Sequence, residues 1–102
     1  MSALVVQWGG RTECFASAFT IGRDATTAPL PEGLAPADLI VADDYASTRH
    51  ARCTEDGGTW YVEDLGSTNG TRLNEARVYG PARLGKGDKV RVGHTILTVV
   101  PL

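Results

Sequence analysis

Apolar residues in this chain fall in short alternating runs cut by glycine, proline and polar clusters, and that spacing predicts strands. Leu4-Val5-Val6-Gln7-Trp8 ends at the turn pair Gly9-Gly10, and Thr12 to Ala16 reads as the return strand of a first hairpin. Ala18-Phe19-Thr20-Ile21 follows a kink at Ser17 and is closed by Gly22-Arg23. Trp60, Val62 and Asp64 alternate with Thr59, Tyr61, Glu63 and Leu65, the period-two mark of a strand, with one of Trp60 and Tyr61 expected in the core and the other on the surface. In the last third, Gly85-Lys86-Gly87-Asp88 reads as a turn, Lys89-Val90-Arg91-Val92 alternates, and Gly93-His94 leads into Thr95 to Val100.

Two segments depart from this rhythm. Asp24 to Asp38 carries Pro29, Pro31, Gly33 and Pro36 and has neither period, so it reads as a long surface loop in which Thr26 and Thr27 are ordinary loop residues. Ala37 to Asp56 has no glycine or proline, which invites a helix. However, it opens on Leu39-Ile40-Val41, and Tyr45, Ala46, Ala51 and Cys53 form no helical stripe, so a strand, a loop over 42–50 and a second strand fit better. About ten short strands with turn signals between them predict an all-β sandwich or barrel. Without a long-period repeat or a linker, one domain is expected over residues 1–102.

Composition narrows the function. The 102 residues suit one hydrophobic core, and no apolar run has the length of a membrane span. With no address visible, a cytoplasmic location is the expectation. A formal charge of −2 argues against a general nucleic-acid binder, which needs a basic face toward phosphates, but not against binding one phosphate. Cys14 and Cys53 show no metal-ligand spacing and read as two small buried thiols; a single disulfide between them stays open.

The candidate chemistry lies between Asp43 and Thr71. Two polar clusters, Ser47-Thr48-Arg49-His50 and Asp64-Leu65-Gly66-Ser67-Thr68-Asn69-Gly70-Thr71, flank a predicted hairpin that turns at Asp56-Gly57-Gly58. A chain that turns once returns to its starting level, which puts both clusters at one rim. Hydroxyls, an amide and loop backbone, with Arg23 brought back to them, make a donor set for an anion with several oxygens. A phosphomonoester carries a charge of about −1.5 to −2 and three acceptor oxygens, so it differs from a carboxylate in just the way such a set can read.

These residues resemble the forkhead-associated (FHA) domain: Gly22-Arg23, then Ser47-Thr48-Arg49-His50, then Asp64 to Thr71 with Asn74, then Gly87-Asp88 and Gly93. The run from Asp43 to Arg52 is most similar to FHA domains of actinobacterial proteins that partner receptor-type Ser/Thr protein kinases. The resemblance implies an FHA-type β-sandwich of about eleven strands with binding loops at one end. It implies a phosphothreonine-peptide-binding module, not an enzyme, that docks onto proteins phosphorylated by Ser/Thr kinases, with cell-wall or cell-division control as the setting. The partner would be a phosphothreonine-containing protein, a kinase or its substrate, met by a monomer without cofactor, metal, nucleic acid or membrane insertion.

Carried over by position, Arg23 and Ser47 hold the phosphate with Thr68 beside them, and Asn69 bonds the peptide backbone. Thr48 falls where the family commonly has Arg, Lys or Asn touching phosphate. Tyr45, two before the serine, would help select a peptide side chain and favour an apolar one. Gly22, His50, Gly66 and Gly70 shape the loops.

Two other readings compete. Ser47, His50 and Asp43 or Asp44 have the residue types of a hydrolytic triad, but no nucleophile elbow accompanies them. A phosphorylation-independent docking or scaffold domain would instead use a sandwich face, with exposed Tyr61 or Val78-Tyr79.

Overall fold

The alternation is realised as eleven strands in a computed structural model that describes residues 3–23 and 37–100. In chain order they are β1 (Leu4–Trp8), β2 (Arg11–Phe15), β3 (Phe19–Arg23), β4 (Leu39–Val41), β5 (Ala51–Asp56), β6 (Thr59–Asp64), β7 (Thr71–Leu73), β8 (Ala76–Arg77), β9 (Ala82–Leu84), β10 (Lys89–Val92) and β11 (Thr95–Val100). No helix occurs among the described residues. The rival helix over 37–56 is strand, loop and strand, as the missing helical stripe requires. The loop expected from Asp24 to Asp38, with Thr26 and Thr27, lies outside the described residues up to position 36.

Two sheets face each other. One runs β2-β1-β11-β10-β7-β8 and the other β4-β3-β5-β6-β9. Every pairing is antiparallel except β3 with β4, where Arg23 lies beside Val41. Alternation puts Leu4, Val6, Trp8, Val90, Val92, Leu97 and Val99 of the first sheet against Phe19, Ile21, Leu39, Val41, Cys53, Trp60 and Val62 of the second. Each such side chain contributes about 1.5–3 kcal/mol by leaving water. Trp60 is the core partner of the Trp60–Tyr61 pair and Tyr61 is half-buried. Of the four edge strands, β8 has two residues and β4 and β9 three each, lengths that offer little template for pairing with another chain, while β2 has five.

Three expectations are corrected. The second strand runs Arg11–Phe15, one residue earlier than read, whereas β3 does close on Gly22-Arg23. Cys14 is exposed, because β2 is an edge strand with four of its five residues open to solvent, whereas Cys53 is buried; both thiols are free. Burial pushes the Cys53 thiol up to about 12. The face proposed for phosphorylation-independent docking is not built as expected, since Val78 is buried and Tyr61 half-buried, leaving Tyr79 exposed.

The β5–β6 hairpin performs the placement expected of it. Its register pairs Ala51 with Asp64, so the loop before β5 and the loop after β6 leave from the same level. The end of β3 joins them through its parallel partner β4, and the β10–β11 turn at Gly93-His94 closes the rim.

Candidate functional site

The mouth is assembled by backbone first. The Arg23 amide donates to the Ser47 carbonyl at 3.0 Å, and the His50 amide to the Ile21 carbonyl at 2.8 Å, so the end of β3 is stitched to the loop carrying Ser47 and Thr48. Gly22 is buried inside that seam, where a Cβ would run into the Thr48 carbonyl; no other residue fits the approach.

His50 is fully buried and ties the two clusters together. Its Nδ1 accepts from the Ser47 amide at 3.0 Å, which leaves the ring proton on Nε2 to donate to the Gly70 carbonyl at 2.8 Å. Ser47 Oγ accepts from the Thr68 amide at 3.1 Å. The Asn69 side-chain amide donates to the Tyr45 carbonyl at 2.7 Å. Gly66 and Gly70 take φ of +79° and +83°, backbone that lets the second cluster fold back on itself.

Two aspartates that the sequence reading did not single out for this mouth act as its struts. Asp64 accepts from the amides of Gly66 and Ser67, each at 3.0 Å, from Ser67 Oγ, and from Thr71 Oγ1 at 2.8 Å. Asp43 accepts from the amides of Tyr45 at 2.9 Å and His94 at 2.7 Å and from Thr95 Oγ1 at 2.7 Å, joining the Ser47 loop to the β10–β11 turn. Burial works against ionisation at both carboxyls, but the donated hydrogen bonds outweigh it and hold both below the usual value. The available sequence signal was Asp64-Leu65-Gly66-Ser67, the pattern of an aspartate that caps its own turn.

The structure thus brings Arg23, Ser47, Thr48, Thr68 and Asn69 to one end of the sandwich, with Gly22, His50, Gly66 and Gly70 beneath or within the loops. Arg23 Nη1 donates to the Asp44 carbonyl at 3.3 Å, while its Nε is buried with no partner among the described residues, a donor left over at the mouth. Ser47 and Thr48 are half-buried; Thr68 and Asn69 are exposed. Tyr45 stands 56% exposed and stacks on the His94 ring with centroids 4.2 Å apart, so the aromatic platform has two members where one was expected.

Hydrolytic geometry is not built here. Both His50 nitrogens serve backbone groups, Ser47 Oγ accepts from Thr68, and the Asp43 carboxylate is engaged with Tyr45, His94 and Thr95. Among the described residues no group of His, Cys, Asp and Glu side chains is arranged to hold a metal ion, and no helix is long and apolar enough to cross a membrane.

Comparison with known proteins agrees with this fold. The family model described as the FHA domain matches residues 19–93. The FHA domain-containing protein FhaB of Mycolicibacterium smegmatis is 52% identical over 63 residues, which cover 62% of this chain and 41% of that protein. The match therefore spans about two fifths of the length of the FhaB proteins. A structure from a study of phosphothreonine-dependent FHA domain interactions superposes with a TM-score of 0.80 at 31% identity, covering 99% of this chain and 100% of the other. The FhaA FHA domain, solved in complex with the intracellular domain of Rv3910, gives a TM-score of 0.76 at 31% identity over 94% and 98% of the two chains.

Proposed function

The chain belongs to the FHA domain family, and from that premise we propose that its mouth binds phosphothreonine peptides. The observation that carries the proposal is the convergence of Arg23, Ser47, Thr68 and Asn69 on one rim through the 3.1 Å Thr68–Ser47 bond and the 3.0 Å Arg23–Ser47 bond. Arg23 supplies the cation and a guanidinium fork whose Nε has no other partner among the described residues. Ser47 Oγ, already accepting from Thr68, keeps its own proton to donate to a phosphate oxygen. Thr48 and Thr68 line the same opening. Asn69, steadied by the Tyr45 carbonyl, bonds the peptide backbone, and Tyr45 faces a peptide side chain.

No step in this function breaks a covalent bond, so the domain acts as a docking module and not as an enzyme. Its partner is a threonine-phosphorylated protein, a Ser/Thr kinase or a kinase substrate, which places the work in the cytoplasm. Similarity to a structure from work on phosphothreonine-dependent interactions and to a domain complexed with an intracellular domain supports this choice. Residues 1–102 constitute one FHA domain in this reading, acting as a monomer. The setting in cell-wall or cell-division control rests on the resemblance alone.

Three or four charged hydrogen bonds at roughly 1.5–3 kcal/mol each, less the cost of ordering a peptide, give about micromolar affinity. Fluorescence anisotropy with matched phosphorylated and plain threonine peptides tests the proposal. Binding only of the phosphorylated peptide is expected, and equal binding of both would overturn it in favour of a face-docking scaffold.

A further inference from the structure

The outer face of the six-stranded sheet carries one sign of charge. Its core face is fixed by Val6, Val90, Val92, Leu97 and Val99, so the alternate positions on those strands point to solvent. Four of the outward positions are cations, Arg72, Arg77, Lys89 and Arg91, and none is a carboxylate. Glu13 on β2 pairs with the core residue Val6 and falls on the other side. On the opposite sheet the register does the reverse, setting Arg52 across from Glu63.

Three of these cations and one apolar residue stand abreast. Ile96 on β11 lies opposite Arg91 on β10, Arg91 opposite Arg72 on β7, and Arg72 opposite Arg77 on β8. Like charges directly across a strand pair weaken a sheet, so the row costs stability unless an anion offsets it. The nearest carboxylate, Glu75 in the β7–β8 turn, stands 4.0 Å from Arg91 and is 77% exposed. Arg72 is oriented by the Glu75 carbonyl at 3.2 Å. The Arg77 guanidinium lies over Gly70 and 5.7 Å from the centroid of the exposed Tyr79 ring.

The spacing of the row selects what can lie on it. Neighbouring strands are about 4.8 Å apart, so Ile96 to Arg77 spans about 14 Å. In an extended strand, side chains of one face recur about every 6.6 Å, which overruns that step. On a helix, residues three and four apart are about 5–6 Å from one another, which matches it. An apolar residue followed by carboxylates four, seven and eleven positions later covers about 16 Å of helix axis. Arginine and tyrosine are enriched at protein interfaces, and a chain of net charge −2 with a single cationic face is poorly suited to nucleic acid.

We propose that this outer sheet face is a second docking surface, which takes an acidic amphipathic helix of a partner protein laid across β11, β10, β7 and β8. The apolar residue of the helix packs on Ile96, 44% exposed, and its carboxylates meet Arg91, Arg72 and Arg77 in turn. No phosphate is involved, and the surface works whether or not the mouth is occupied.

The test uses the 102-residue chain and a stapled alanine-based helix of about 18 residues carrying one Leu and three Glu at that spacing. Two twins accompany it, one with Gln for Glu and one with the three Glu spread around the helix. Anisotropy should show the first helix binding about tenfold tighter than either twin at low salt, an advantage that shrinks as salt is raised. Amide shifts in nuclear magnetic resonance spectra should fall on Arg72, Arg77, Arg91 and Ile96 and spare Ser47 and Thr68. The R72Q/R77Q variant should lose the advantage, while Arg52→Gln on the other sheet should keep it. Reversing both partners, a Lys helix with the R72E/R77E variant, should restore binding that the parent chain denies to the Lys helix. The inference is overturned if the three helices bind alike, if the shifts gather at the mouth, or if the reversed pair fails to bind. Tighter binding of a short DNA duplex to the same residues would also overturn it, since the face would then read phosphates.

Discussion

The Thr68 amide donates to Ser47 Oγ at 3.1 Å, joining two loops that are 21 residues apart in sequence. A hydroxyl that accepts in this way is oriented, and its single proton is left pointing elsewhere. Ser47 is thus a positioned donor before any peptide arrives. Ser47→Ala removes the donor and frees the Thr68 amide; phosphopeptide affinity should drop by about 1.5–3 kcal/mol. Isothermal titration checks this, and wild-type affinity in the variant would remove Ser47 from the site.

Arg23 bonds the Ser47 carbonyl through its backbone, while its side chain faces the mouth. Arg23→Ala should therefore leave the fold intact and cost about 2–4 kcal/mol of binding, since a charged partner is stripped from the anion. Circular dichroism and titration together separate the two effects. An unfolded variant, or one that binds normally, would count against the role given to Arg23.

His50 has the opposite profile. Its imidazole satisfies the Ser47 amide and the Gly70 carbonyl from a fully buried position, so His50→Ala leaves two polar groups stranded. A loss of about 2–4 kcal/mol of stability is expected from urea unfolding, with binding lost alongside because both clusters hang from that ring. Retention of full stability would show that the loops are held by other bonds.

Acid should loosen the mouth before it attacks the core. Asp43 and Asp64 are held below their ordinary value in the folded chain, so in acid the unfolded chain binds more protons than the folded one. Their stabilising effect is complete above the unfolded value of about 3.9 and drains away as pH falls through the lower folded values. Urea midpoints measured at about pH 6 and about pH 3 should therefore differ, and Asp64→Asn should shrink the difference. A variant with the same acid loss as the parent would remove Asp64 as its source.

Much of the mouth could be read in sequence because its residues are forced by local chemistry. Gly22 sits where a Cβ would strike Thr48, and the run from Leu65 to Thr71 folds on Gly66 and Gly70, so these positions announce themselves. The small strands β7, β8 and β9 were invisible, since runs of two or three residues have no period to detect. Asp43 was weighed only as a member of a hydrolytic triad and not as a strut, because its partners His94 and Thr95 lie 51 and 52 residues away. For a related reason the sequence could not show Arg72, Arg77 and Arg91 abreast on neighbouring strands, since only register puts them there. Cys14 was misjudged because a small apolar side chain signals burial, and nothing in its neighbours announced that β2 would be an edge.

That edge position has a practical consequence. Cys14 pairs with Val5 and Val5 with Val100, the far end of a strand that leaves the mouth at Thr95, a separation of about 17 Å along the sheet at about 3.3 Å per residue. With Cys53 buried and its thiol pushed up to about 12, a maleimide reagent at neutral pH meets one reactive sulfur. A dye or a sensor surface can be attached there without engineering, leaving the opposite end of the sandwich open to ligand.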